Sequence, residues 1–199
     1  MLAYLVVSAV LQVKPDQRPF CKIVTSQGQL TSGCVIETLG DGDVLILTCR
    51  HGHDGKVSVY THRGTANPRE AKVVWEDSKS DLALIRMTPE VATGSYSLGD
   101  SSPAIGATVR FAGFGHRSFA DRKTVIKGEI GGLPQTEAAS RHGDSGAPVI
   151  YQGRIVGIMV RTLGRRGVNP RREGGESDGL FVPAETIKEF VQSYKSKRR

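Results

Sequence analysis

The sequence predicts an all-β fold, antiparallel barrels or a sandwich, closed at the carboxyl end by one helix. Three observations lead there. Short apolar runs recur between turn residues: Val44 to Thr48, Lys56 to Thr61, Ala71 to Glu76, Leu82 to Met87, Thr108 to Gly113, Thr124 to Ile130, Pro148 to Tyr151 and Arg154 to Arg161. Runs of this length and composition read as strands. The 24 glycines and 9 prolines supply many turns. Asp41-Gly42, Gly131-Gly132 and Gln152-Gly153 mark reversals, the last joining two β-rich runs as a hairpin. Helical spacing appears once, at Ile187, Phe190, Val191 and Tyr194 behind Pro183, a residue suited to a first helical turn. Repeated strands without intervening helices argue for antiparallel sheets.

At 199 residues, 38% apolar and 24% charged, the chain can bury a core as one domain or two small barrels, without metals or a disulfide framework. Residues 88 to 107 hold Thr88-Pro89, Gly94, Gly99-Asp100-Ser101-Ser102-Pro103 and Gly106 but few large apolar side chains, and read as a connection. Residues 1–92 and 93–199 then form two halves of a single domain. Residues 163 to 178 show neither period and read as a long exposed loop. Residues 2 to 13 are apolar but too short to span a bilayer, and no basic residue precedes them. A packed first strand or short helix is preferred over a signal segment, and an intracellular location over a secreted one.

The net charge of +7 is local, carried by Arg161, Arg165, Arg166, Arg171 and Arg172, then Lys195, Lys197, Arg198 and Arg199. Such clusters can attract nucleic acid, an anionic membrane or acidic peptides, but a solvated loop and tail is the favoured reading. Cys21, Cys34 and Cys49 cannot all pair within one molecule. A Cys34–Cys49 bridge and three buried thiols are both open.

Three segments carry chemistry: Leu47-Thr48-Cys49-Arg50-His51, Ser80-Asp81-Leu82-Ala83-Leu84-Ile85 and Gly143-Asp144-Ser145-Gly146-Ala147-Pro148. Glycines on both sides of Ser145 suit a tight loop that aims the hydroxyl outward. A serine hydroxyl is a poor nucleophile unless a base lies in hydrogen-bond reach, and that base needs a partner to fix its tautomer. His51 and Asp81 are the candidates. The backbone N–H groups of Gly143 and Ser145 can converge on an oxyanion.

In their order, these segments resemble the trypsin-like (chymotrypsin-fold) serine proteases. The separations, 30 residues from His51 to Asp81 and 64 from Asp81 to Ser145, are similar to those of compact bacterial and viral members. Ile155-Val156-Gly157-Ile158 and Gly179-Leu180-Phe181-Val182 extend the resemblance past the serine. It implies two antiparallel six-stranded β-barrels packed together, with His51 and Asp81 on the first and Ser145 on the second. It also implies a serine endopeptidase acting on polypeptides without a cofactor: His51 the base, Asp81 its orienter, Ser145 the nucleophile, Gly143 and Ser145 the oxyanion hole. The substrate side chain before the cut would meet Ala139, Ser140, Met159, Thr162 and Gly179. None is acidic, which favours a small or medium uncharged side chain, with acidic ones allowed by nearby arginines.

Departures from the family sharpen the reading. No Ile-Val-Gly-Gly-like sequence is present to give a new amino terminus for Asp144, so an internal arginine, Arg141 or Arg161, is expected to neutralise it. Activity would then need no activation cleavage. Cys49, His51 and His53 lack further ligands at metal spacing, so no metal is expected and His53 reads as a surface residue of the turn. His62 and His116 read as solvated, His142 as solvated or at the mouth of the site, and Trp75 as core. The alternatives are a catalytically idle protease fold that binds through the basic loop, and a nucleic-acid-binding domain. An α/β-hydrolase is disfavoured, because that fold orders serine before acid before histidine.

Overall fold

The structure, a computed structural model, describes residues 19–53, 56–61, 67–90, 92–163 and 177–198. In chain order the described elements are β1 (Phe20–Thr25), β2 (Leu30–Thr38), β3 (Val44–Cys49), β4 (Val57–Tyr60), β5 (Arg69–Asp77), β6 (Leu82–Met87), β7 (Thr108–Gly113), β8 (Ala120–Ile130), β9 (Leu133–Ser140), β10 (Pro148–Tyr151), β11 (Arg154–Leu163), β12 (Ser177–Pro183) and α1 (Ala184–Lys197). The strands close into two antiparallel six-stranded barrels, ordered β1-β2-β3-β6-β5-β4 and β10-β11-β12-β9-β8-β7. This is the all-β architecture expected from the sequence, with α1 at the end as the one long helix among the described residues.

Side-chain alternation explains why β3 and β6 are apolar at nearly every position. Val44 and Ile46 of β3, with Ile85 and Met87 of β6, fill the first barrel beside Cys21, Ile23, Val35, Val57 and Val59. The opposite faces, Leu45, Leu47 and Cys49 with Leu82 and Leu84, pack into a second cluster. That cluster runs through Ile155, Ile158 and Val182 of the other barrel to Ile187, Phe190, Val191 and Tyr194 of α1. The helix thus covers the seam between barrels. Trp75, expected in the core, is half-buried and lies beside Tyr194, with the Lys197 ammonium 4.3 Å from its ring centre.

Gln152-Gly153 forms the two-residue hairpin between β10 and β11, both residues at positive φ (48° and 77°), as strand twist demands. The apolar runs mark eight of the twelve strands, and the resemblance at Gly179-Leu180-Phe181-Val182 marks β12. β1, β2 and β9 fall outside both, and small polar residues interrupt the pattern of the last two: Thr31 and Ser32 of β2 are buried, and β9 reads Leu-Pro-Gln-Thr-Glu-Ala-Ala-Ser. Pro183 precedes α1 in extended backbone. Cys34 lies in register with Leu47, and all three cysteines are free and buried, so no bridge forms. Burial pushes the Cys21 thiol up to about 12 and raises Cys34 and Cys49 as well. The arginine-rich stretch 164–176, residues 2–13 and His62 lie outside the described residues. No described helix is long and apolar enough to cross a membrane.

Candidate functional site

Strand pairing brings His51 to Asp81. β3 and β6 are neighbours with Cys49 opposite Leu82, so the turn leaving β3 meets the turn entering β6. The Arg50 amide donates to the Asp81 carbonyl at 2.9 Å and the His51 amide to Asp81 Oδ1 at 2.9 Å. His51 Nδ1 lies 2.6 Å from Asp81 Oδ2, so one carboxylate grips both the backbone and the ring of the histidine. Asp81 adopts left-handed backbone (φ 57°), uncommon outside glycine, to reach both. Burial raises its carboxyl, but the bonds from the His51 ring and amide outweigh that and hold it below the ordinary 3.8.

Ser145 sits in the loop from β9 to β10, pressed against the first barrel. Gly146, at φ 84°, could not be another residue: a Cβ would lie 2.0 Å from the Ser32 carbonyl oxygen. Ser32 clamps the loop. Its amide donates to the Ser145 carbonyl at 2.7 Å and its hydroxyl to the Gly143 carbonyl at 2.8 Å, while the Phe114 amide donates to that hydroxyl at 2.9 Å. Thr48 Oγ1 in turn donates to the Ser32 carbonyl at 2.7 Å. With φ of 101° at Gly143, the N–H groups of Gly143 and Ser145 donate to no acceptor among the described residues, whereas the Asp144 N–H donates to the Arg141 carbonyl. Two free amides beside a serine can stabilise a negative oxygen. His51, Asp81 and Ser145 line one cleft of about 430 Å³ with His142, Val160, Arg161 and Thr162.

Asp144 is fully buried, and its cation is not the one the sequence suggested. Arg122 on β8 donates to Oδ1 at 2.7 Å, joined by the Gly115 amide at 2.9 Å, and the Arg141 amide reaches Oδ2 at 2.7 Å. Arg141 therefore contributes backbone rather than charge, and Arg161 faces the cleft. Arg122 lies on a strand whose polar residues alternate with buried ones, and nothing local in its sequence points to Ser145. Burial pushes the Asp144 carboxyl up against the opposing pull of Arg122 and the two amides. His53, expected at the surface, is buried 3.5 Å from Thr48 Oγ1. His142 is exposed at the mouth, and His116 is exposed as expected.

The residues expected around the substrate side chain cluster at the end of the second barrel. Ser140 and Thr162 share a hydroxyl hydrogen bond of 2.8 Å, and Thr162 lies opposite Gly179 on β12. Gly179 leaves room for the Met159 side chain, because a Cβ there would lie 2.1 Å from its methyl. Ser140 and Met159 are each 1% exposed, so among the described side chains of this group only Thr162 lines the open cleft. The side chain of Ala139 lies outside the description. Among the described residues no cluster of histidine, cysteine and carboxylate could hold a metal. Ser32 went unrecognised in the sequence, where its only sign was a small polar pair, Thr31-Ser32, inside a strand.

The chain is similar to a Bacillus subtilis protein described as serine protease Do-like HtrA, 27% identical over 176 residues. That match covers 79% of this chain and 37% of the relative, so the chain spans little more than a third of the relative's length. Its fold is similar to that of a serine endoprotease from Yersinia pestis, with a TM-score of 0.71 at 20% identity, covering 93% of this chain and 65% of that one. Residues 31–158 match the family described as the trypsin-like peptidase domain. With most of its length matched and both barrels in place, the chain belongs to the trypsin-like peptidase domain family of serine proteases.

Proposed function

We propose that the chain is a serine endopeptidase that cleaves polypeptides through an acyl-enzyme intermediate, with Ser145, His51 and Asp81 as its catalytic residues. The reading is carried by the 2.6 Å contact of His51 Nδ1 with Asp81 in the cleft that Ser145 also lines. Asp81, ionised, fixes the proton of His51 on Nδ1 and leaves Nε2 to take the proton of Ser145 as its oxygen attacks the carbonyl. The resulting oxyanion is met by the Gly143 and Ser145 amides. His51 then passes its proton to the leaving amine, and water releases the acyl group by the same path in reverse. No step needs a cofactor.

The site requires no new amino terminus, since Arg122 already neutralises Asp144. The side chain before the cut would rest on Ser140, Thr162 and Gly179 with Ala139 and Met159 around them. Met159 packed against Gly179 makes that floor shallow and suits small, uncharged side chains. The decisive experiment is labelling with a fluorophosphonate probe together with cleavage of a peptide library. Wild type should label and cut; Ser145→Ala should do neither while melting at the same temperature. Turnover retained in Ser145→Ala would remove the proposal.

A further inference from the structure

The cleft has two arms, and their charges differ. β10 pairs with β11 only as far as Pro148 opposite Ile158; beyond it Arg161 and Thr162 are paired on one side, to β12, Val160 sits at the bulge between Met159 and Arg161, and all three line the cleft. An extended peptide can add to that free edge, which places the acyl half of a substrate there. The half that leaves with the amine must run the opposite way. There a second cavity of about 600 Å³ shares His51, His142 and Ser145 and extends under Gln29 to Thr31 toward His116 and Arg117. Its described lining holds Arg117 and three histidines and no carboxylate. The groove on the β11 side, about 840 Å³, holds Glu76, Asp77, Asp81 and Glu189 against Lys79 and Arg161. The +7 charge of the chain is thus not spread evenly along the substrate path.

The backbone at the positive arm is also unusual. His116 and Arg117 are successive non-glycine residues with φ of 54° and 68°, a costly arrangement for exposed side chains that no core packing requires. Two bonds fix it: the His116 amide to the His142 carbonyl at 2.9 Å and the Arg117 amide to the Phe114 carbonyl at 3.0 Å. Among the described residues no carboxylate lies within ion-pair distance of the Arg117 guanidinium. We propose that this arm is a subsite for an acidic side chain just after the scissile bond, with Arg117 as its principal charge and His116 and His142 beside it. The proposal rests on the endopeptidase reading and names the substrate that reading would favour.

Quenched peptides that share one cut site and differ only in Glu or Lys at the residue just after it test the proposal through the ratio of their kcat/KM values. Glu should be favoured about fivefold at low ionic strength, the scale of a solvated ion pair, and less at high salt. Arg117→Glu should reverse the ratio, which is independent of how much of the variant is folded. A ratio near one in wild type, a ratio unmoved by Arg117→Glu, or the same gain from Glu placed before the cut would each overturn the subsite. The last would show that overall charge suffices. Fluorophosphonate labelling of Ser145 separates the two proposals: labelling without a charge ratio sinks the subsite alone, whereas no labelling sinks the endopeptidase reading and the subsite with it.

Discussion

Two aspartates flank the site, one from each barrel, and the chain treats them in opposite ways. Asp81, at a turn of the first barrel, has a side chain 34% exposed and, among the described side chains, is gripped by His51 alone. Asp144, in the loop of the second, is sealed from solvent and gripped by an arginine and two amides. The first arrangement leaves a carboxylate close to water, where its charge is cheap to keep and acts on an imidazole. The second spends a buried ion pair on shape, fixing the backbone that presents Ser145. The Gly143-Asp144-Ser145-Gly146 motif therefore mixes two jobs, and only neighbours outside the motif distinguish them.

Asp81→Asn should break the first arrangement at the largest cost. With the amide in place the histidine is turned to the wrong tautomer, and serine proteases of this kind then lose about 10⁴-fold in kcat. Stability should move little, because the side chain is partly solvated. Kinetics and melting measured on one preparation check both halves, and a large fall in melting temperature with ordinary turnover would reverse the assignment of roles.

Arg122→Ala should do the opposite. Removing the cation leaves Asp144 buried and uncompensated, which costs about 3–5 kcal/mol of stability. For a chain of this size that lowers the melting temperature by roughly 2–4 °C per kcal/mol. Denaturant unfolding measures the loss directly, and an unchanged midpoint would show that the Gly115 and Arg141 amides suffice without Arg122. Ser32→Ala, which removes the hydroxyl between Gly143 and Phe114, should cost less, about 1–3 kcal/mol for an amide and a carbonyl left buried without a partner.

How legible each half was in the sequence follows the same division. His51 and Asp81 lie at the ends of two continuous apolar runs that pair with each other, so pattern and spacing both point to them. β6 and β7 were bounded correctly for the same reason, as their apolar residues start and stop abruptly. The support of Ser145 was hidden. Ser32 lies 113 residues before it and Arg122 lies 23 residues before it, each on a strand whose local sequence serves the barrel and gives no sign of the loop it holds. Arg141 and Arg161 were nearer in sequence and so looked better placed, but closure of β8 onto β7 and β9 decides which guanidinium reaches Asp144. His53 misled for a related reason: the turn after His51 folds back under Thr48 rather than outward.

The smallest expected effect separates the two carboxylates by the sign of their response to pH. Asp81 has a folded value below the ordinary 3.8, so the unfolded chain binds more protons there. Its contribution is present above that ordinary value and fades as pH falls through the lower folded one. Asp144 is raised, so the native chain binds more protons, and its contribution is present below 3.8 and fades as pH rises toward the folded value. Melting temperature followed upward from pH 2.5 should therefore climb first, through Asp81, and then lose part of the gain through Asp144. Asp81→Asn should flatten the early climb, and Asp144→Asn should remove the later loss even though that variant starts less stable. If Asp144→Asn leaves the slope above pH 4 unaltered, Arg122 keeps that carboxylate ionised throughout, and the two aspartates differ in solvent exposure but not in the direction of their titration.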